Sequence, residues 1–140
     1  MSDIGKDIRT YLQTVSDVTD IIGTRMFPRM LPQGEDLPAI IFNVIGSRSV
    51  AHMGGAAGSA RAMLQLDCYA ETHITANNLG ETVRQALHGY IGTAGSSTVG
   101  SSLLENKREM YETPTDGSDL PAYRVMMEWE IWHEETVPSF

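Results

Sequence analysis

The chain has 140 residues, 41% of them hydrophobic, with 18 acidic and 10 basic side chains and a net charge of −8. That length fits one domain with a real core, and the lone Cys68 excludes an internal disulfide and a thiolate metal site. The negative balance argues against a surface built to grip nucleic acid phosphates, and no run of 18 apolar residues offers a membrane span.

The charge is uneven: residues 101–140 hold nine acids and three bases, residues 1–100 nine and seven. An acidic last third reads as a solvated face or as a surface for a basic partner. The opening MSDIGKDIRTYL mixes acids and bases and lacks the apolar centre of a signal peptide. The chain is therefore expected to stay in the reducing compartment where it is made.

Ser2 is placed to cap a first helix in which Ile4, Ile8, Tyr11 and Leu12 recur at helical spacing. Asp3 and Asp7 sit early, where the helix dipole favours acids. A short helical turn over 16–22 ends at Gly23, a left-handed C-cap position. Residues 25–31 (RMFPRML) read as an extended edge, because Pro28 has no N–H to give a ladder. Pro32, Gly34 and Pro38 then punctuate a polar turn.

From Ala39, the residues Ile40, Ile41, Phe42, Val44 and Ile45 predict a strand covered on both faces in its first half. It turns polar from Ser47 and reaches a small-residue tip over 53–59 (MGGAAGS). The return strand alternates: Ala62, Leu64, Leu66, Cys68 and Ala70 on a core face, Arg61, Met63, Gln65, Asp67 and Tyr69 on the other. Thr72 can cap a helix over 73–91, with Ile74, Leu79, Val83, Ala86, Leu87 and Tyr90 as its buried stripe. Asn77, Glu81, Arg84 and Gln85 face outward, and Gly89 and Gly92 mark the end.

The Gly/Ser-rich stretch 92–102 reads as a loop leading into a strand over 103–112. Residues 113–121 (TPTDGSDLP) form a turn. In the last strand, 122–134, Tyr123, Val125, Met127, Trp129, Ile131 and His133 take the core face. Arg124, Met126, Glu128, Glu130 and Trp132 take a solvent or partner face, and a short tail, 134–140, ends in Phe140. The layout is a single α+β domain over 1–140. It has a mostly antiparallel sheet of about four strands, helices packed on one face and a protruding β-hairpin.

Catalytic patterns are missing from this sequence. His52, His73, His88 and His133 never fall in HxH or HExxH spacing. Cys68 lies on the apolar parity of a strand, as a small core residue does. The glycine-rich tip joins two strands, has no GK[ST] and lacks the helix N-terminus that cradles phosphate. Glu105, Glu109, Glu112, Glu128 and Glu130 describe polar strand faces more simply than an acid/base cluster. No catalytic, cofactor or metal site is expected, and the chain does not read as an enzyme. The candidate residues are those of a subunit or partner interface: Met53, Gly54, Gly55, Gly58, Arg61, Met63, Glu128, Glu130, Trp132 and Phe140. Trp132 among glutamates reads as a side chain packed under a loop or as an interface anchor.

Several pieces come in a telling order. Val18, Ile21, Ile22, Gly23, Arg25, Phe27 and Pro28 precede Pro32, Gln33, Gly34, Leu37, Pro38, Ala39, Ile40 and Ile41. Arg61, the run 64–70 and Thr72 follow, then a helix carrying Ala76, Leu79, Val83, Arg84, Ala86 and Leu87. Over residues 4–91 this resembles the tail-completion, or tail terminator, proteins of long-tailed bacteriophages; the last two strands agree by topology alone. The resemblance implies a virion structural protein, assembled in the bacterial cytoplasm, with no catalytic residues. It implies a homo-oligomer, a hexameric ring that caps the tail tube and stops its polymerisation. Its partners would be the tail tube protein and a head-tail connector or neck protein, with DNA passing through the ring without specific binding. The alternatives are another neck ring of the same virion or a small cytosolic ligand-binding module. The second would need a deep pocket with converging polar groups.

Overall fold

A computed structural model describes residues 4–29, 36–52, 55–112 and 122–134. Ser2, the 30–35 turn, Met53, Gly54, the 113–121 turn and the tail with Phe140 lie outside the described residues. The elements run α1 (Ile4–Leu12), α2 (Ser16–Ile22), β1 (Met26–Pro28), β2 (Ala39–His52), β3 (Gly55–Ala70), α3 (His73–Leu87), β4 (Gly92–Ala94), β5 (Ser97–Glu112) and β6 (Ala122–Glu134).

The strands form one six-stranded sheet in the order β1-β2-β3-β6-β5-β4. Every pairing is antiparallel except that of β1 with β2. The expectation of about four strands is corrected to six by the two short edge pieces, β1 and β4. β1 is the extended edge that Pro28 marked, and it covers only residues 40–42 of β2. β4 was hidden in the Gly/Ser stretch, whose composition has little strand propensity. Instead of a loop, residues 92–99 make a tight hairpin turning at Gly95 (φ 56°) and Ser96. A buried carboxylate of α1 holds that turn: Asp7 accepts from Ser96 N at 3.2 Å, from the Ser96 hydroxyl and from the buried Ser97 hydroxyl.

One core lies between the inner sheet face and the helices. Ile40, Phe42, Leu64, Leu66, Cys68, Val125, Met127, Trp129 and Ile131 meet Ile4, Ile8, Leu12, Val18, Ile22, Leu79, Val83 and Leu87. The alternation read in β3 and β6 therefore places the core faces correctly, and Ala39 to Phe42 of β2 are buried on both parities. α3 opens where Thr72 accepts from Thr75 N at 3.2 Å, but it stops at Leu87 rather than 91. Ile74, expected in its buried stripe, is 71% exposed. It sits in the first turn, and burial begins only at Ala76. Gly80 lets α3 come down on β6, since a Cβ there would stand 3.0 Å from Val125 Cγ1.

Cys68 is fully buried, and burial, reinforced by the neighbouring Asp67, pushes its thiol pKa well above the usual range. A thiolate is the reactive form. The folded chain should therefore resist iodoacetamide at neutral pH and label fully once denatured. Rapid labelling of the folded chain would show that the core opens.

Candidate functional site

The sheet face opposite the helices is where the expected interface residues meet. Across β3 and β6 the register sets Arg61 opposite Trp132, Met63 opposite Glu130 and Gln65 opposite Glu128. Of the ten candidates, Arg61, Met63, Glu128, Glu130 and Trp132 thus form one patch. Met53, Gly54 and Phe140 lie outside the described residues, and Gly55 and Gly58 lie in β3 further along the hairpin.

Trp132 is partly buried. Its indole Nε1 donates to Glu130 Oε1 at 2.7 Å, and Glu130 Oε2 stands 3.8 Å from the Arg61 guanidinium. A second cluster, which the alternation alone did not single out, lies on the same face. Asp67 is buried, accepts from Arg124 at 3.1 Å and from Gln65 Nε2 at 3.0 Å, and the Arg124 guanidinium lies over the Tyr69 ring at 5.7 Å. Arg124 and Asp67 are 57 residues apart in sequence, so only strand register could have paired them. Met126, next to Asp67 across the strands, completes the patch.

Charge on this face is balanced rather than acidic. Arg61, Arg108 and Arg124 stand among Asp67, Glu128 and Glu130. The composition, with Trp, Tyr, Met and Arg together, is that of protein–protein interfaces. On the helical side, Glu81 is held at a pKa of about 2, first by the hydrogen bond from Arg84 and then by its charge. That pair lies on the exposed face of α3 and touches none of the patch.

The β2–β3 hairpin runs beyond this patch. The last described pair of β3 with β6 is Ser59 with Glu134, and β2 and β3 stay paired to His52 and Gly55. Pairing therefore continues into the small-residue stretch 53–59, with Ala51 opposite Ala56.

Nothing among the described residues gathers a catalytic or metal constellation. His73 Nε2 lies 3.3 Å from Glu109 Oε2 and 3.2 Å from Asn77 Nδ2, an exposed polar contact. Two shallow clefts are lined by Pro28, Arg29, Phe42, Asn43 and Val44, and by Thr98, Gly100, Trp132, His133 and Glu134. Among the described residues, no helix is long and apolar enough to cross a membrane.

A sheet covered by helices on one side, bearing an aromatic and charged patch on the other, defines a module suited to protein contacts. Residues 6–134 match the family of the tail completion protein gp17, and the chain belongs to that family. It is accordingly a bacteriophage virion component, one of the structural proteins of the tail. No curated protein matches it in sequence. In structure it is similar to a chain from the virion of a native gene transfer agent particle, with a TM-score of 0.65 and 14% identity. That likeness spans 89% of this chain and 91% of the other, and it shows a shared fold.

Proposed function

We propose that the chain is a tail terminator: copies form a hexameric ring that caps the tail tube, stops its polymerisation and joins the tail to the neck protein of the head. The observation that carries this reading is the length of the β2–β3 hairpin, whose strands stay paired to His52 and Gly55, into the residues read as its tip. A long hairpin beside a patch of half-buried aromatic and charged side chains gives each copy two different surfaces, as a closing head-to-tail interface requires. The patch supplies the anchor, with Trp132 held by Glu130 beside Arg61. A net charge of −8 and arginines matched by carboxylates provide no basic stripe for phosphate, which suits DNA passing without being held.

The test removes residues 54–58 and adds the chain to tubes of its own tail-tube protein. Folding, followed by circular dichroism and melting, should survive, while sixfold caps seen by negative-stain imaging should vanish. Intact caps on the shortened chain would refute the role of the hairpin. Tubes that keep growing past the full-length chain would refute the terminator itself.

A further inference from the structure

The two long hairpins of the sheet turn at opposite ends, and the ends differ in charge. Ser59 of β3 pairs with Glu134, whereas Ala70 pairs with Tyr123, beside the β5–β6 turn. At the first end, residues 43–63 of the β2–β3 hairpin carry Arg48 and Arg61 and no acid, which leaves eight bases against 18 acids for the rest of the chain. The register sets Arg48 opposite Arg61 and Arg61 opposite Trp132. Like charges directly opposite each other weaken a strand pair. Glu130, 3.8 Å from Arg61, also accepts from Trp132 Nε1 at 2.7 Å. The root of the hairpin is thus a positive spot on a chain of net charge −8.

At the other end, an apolar patch with an acidic rim faces solvent on the helix side. Tyr111 meets Tyr123 edge-on, ring centroids 5.0 Å apart, and is still 54% exposed. His73 meets the same Tyr123 ring at 5.9 Å, and Ile74 beside it is 71% exposed. Two exposed carboxylates flank these side chains: Glu71, between β3 and α3, and Glu109, 3.3 Å from His73. Lys107, the next base along that face of β5, helps to lower the pKa of Glu81 further along α3. Arg108 and Arg124 lie on the opposite face, Arg124 held by Asp67 at 3.1 Å.

We infer that this patch receives the hairpin root of the next copy, Glu71 and Glu109 meeting Arg48 and Arg61, and Ile74 and Tyr111 lying against the Met63 and Trp132 side. The inference rests on the ring reading and names the contact that builds it. Charge selects a second copy as the occupant. Copies of net charge −8 repel one another, so their association needs a place where opposite signs meet. The hairpin root is positive, and the patch at the far end is its complement. Neither surface can face its own kind without setting arginine against arginine or glutamate against glutamate. The contact is therefore heterologous, the kind that closes into a ring. Exposed aromatic and aliphatic side chains inside a charged rim match the anatomy of such interfaces.

Exchanging charge between copies tests this. Arg48→Glu with Arg61→Glu makes both surfaces acidic, and Glu71→Arg with Glu109→Arg makes both basic. Each chain, its folding checked by circular dichroism and melting, is added to tubes of its own tail-tube protein and imaged by negative stain. Each variant alone should lose the sixfold ring, and an equimolar mixture should restore it, the two chains alternating. Should Arg61→Glu lower the melting temperature, Arg48→Glu alone takes its place. The basic variant separates contact from overall repulsion, because its net charge shrinks from −8 to −4, each Glu→Arg adding two. Rings that form on it as readily as on the unaltered chain would overturn the contact and leave the ring standing. A mixture of folded variants that stays without rings would do the same. An unaltered chain that forms no ring on tube ends would overturn the ring reading and the contact with it.

Discussion

Replacing Trp129 with alanine should remove roughly 3–5 kcal/mol of folding stability, the cost typical of emptying a large aromatic site. Trp129 is the largest fully buried side chain and sits mid-β6, between Leu64 of β3 and Leu104 of β5. Against a total near 5–15 kcal/mol, that loss lowers the melting temperature by about 10–20 °C. Trp129→Phe should cost distinctly less. It keeps the ring in the core and removes an indole Nε1 that has no hydrogen-bond partner among the described residues. Trp132→Ala, on the same strand but the opposite face, is the control and should cost under about 1 kcal/mol. Equal losses at Trp129 and Trp132 in urea titrations would contradict this division between the core and the opposite sheet face.

The second large effect is expected at Asp7. Asp7→Ala strips partners from Ser96 N, from the Ser96 hydroxyl and from the buried Ser97 hydroxyl. Each buried donor left unpaired costs roughly 1–3 kcal/mol. Ser96 can turn to water and Ser97 cannot, so a total of about 2–3 kcal/mol is expected. The loss should be local as well as global, with amide exchange accelerating first across residues 92–99. Gly95→Ala should reproduce it from the other side. Gly95 has φ 56°, and a Cβ there would fall 2.5 Å from Asp7 Oδ1 and 3.1 Å from Asp7 Cα. Unchanged exchange in both variants would mean that the carboxylate does not hold the β4–β5 turn.

These two sites also mark what could be read from the residues in order. Trp129 was legible because strand alternation is local: every second residue from Val125 to Ile131 faces the core. β4 was not, because glycine and serine carry no strand signal and the force that shapes them comes from Asp7, some ninety positions earlier. Ile74 misled for the opposite reason. Helical periodicity continues through the first turn of α3, and nothing in it records where burial starts. In the same way the alternation placed Arg124 and Asp67 on outward faces, but pairing them needed the β3–β6 register. The candidate interface residues were chosen by composition and strand parity, and the meeting of Arg61, Met63, Glu128, Glu130 and Trp132 in one patch is a property of topology.

The seating of α3 gives the molecule a mechanical character. At its start His73 reaches Glu109 of β5. Just past its end, Gly89 N donates to Ser102 O at 2.7 Å and His88 Nδ1 accepts from Leu104 N at 3.1 Å. Midway, Gly80 brings the helix to van der Waals contact with Val125 on β6. A rod fixed at both ends and bedded at its centre has little slack, and close-packed interiors transmit strain instead of absorbing it. A displacement along β5 is therefore felt by α3 at both of the helix's ends.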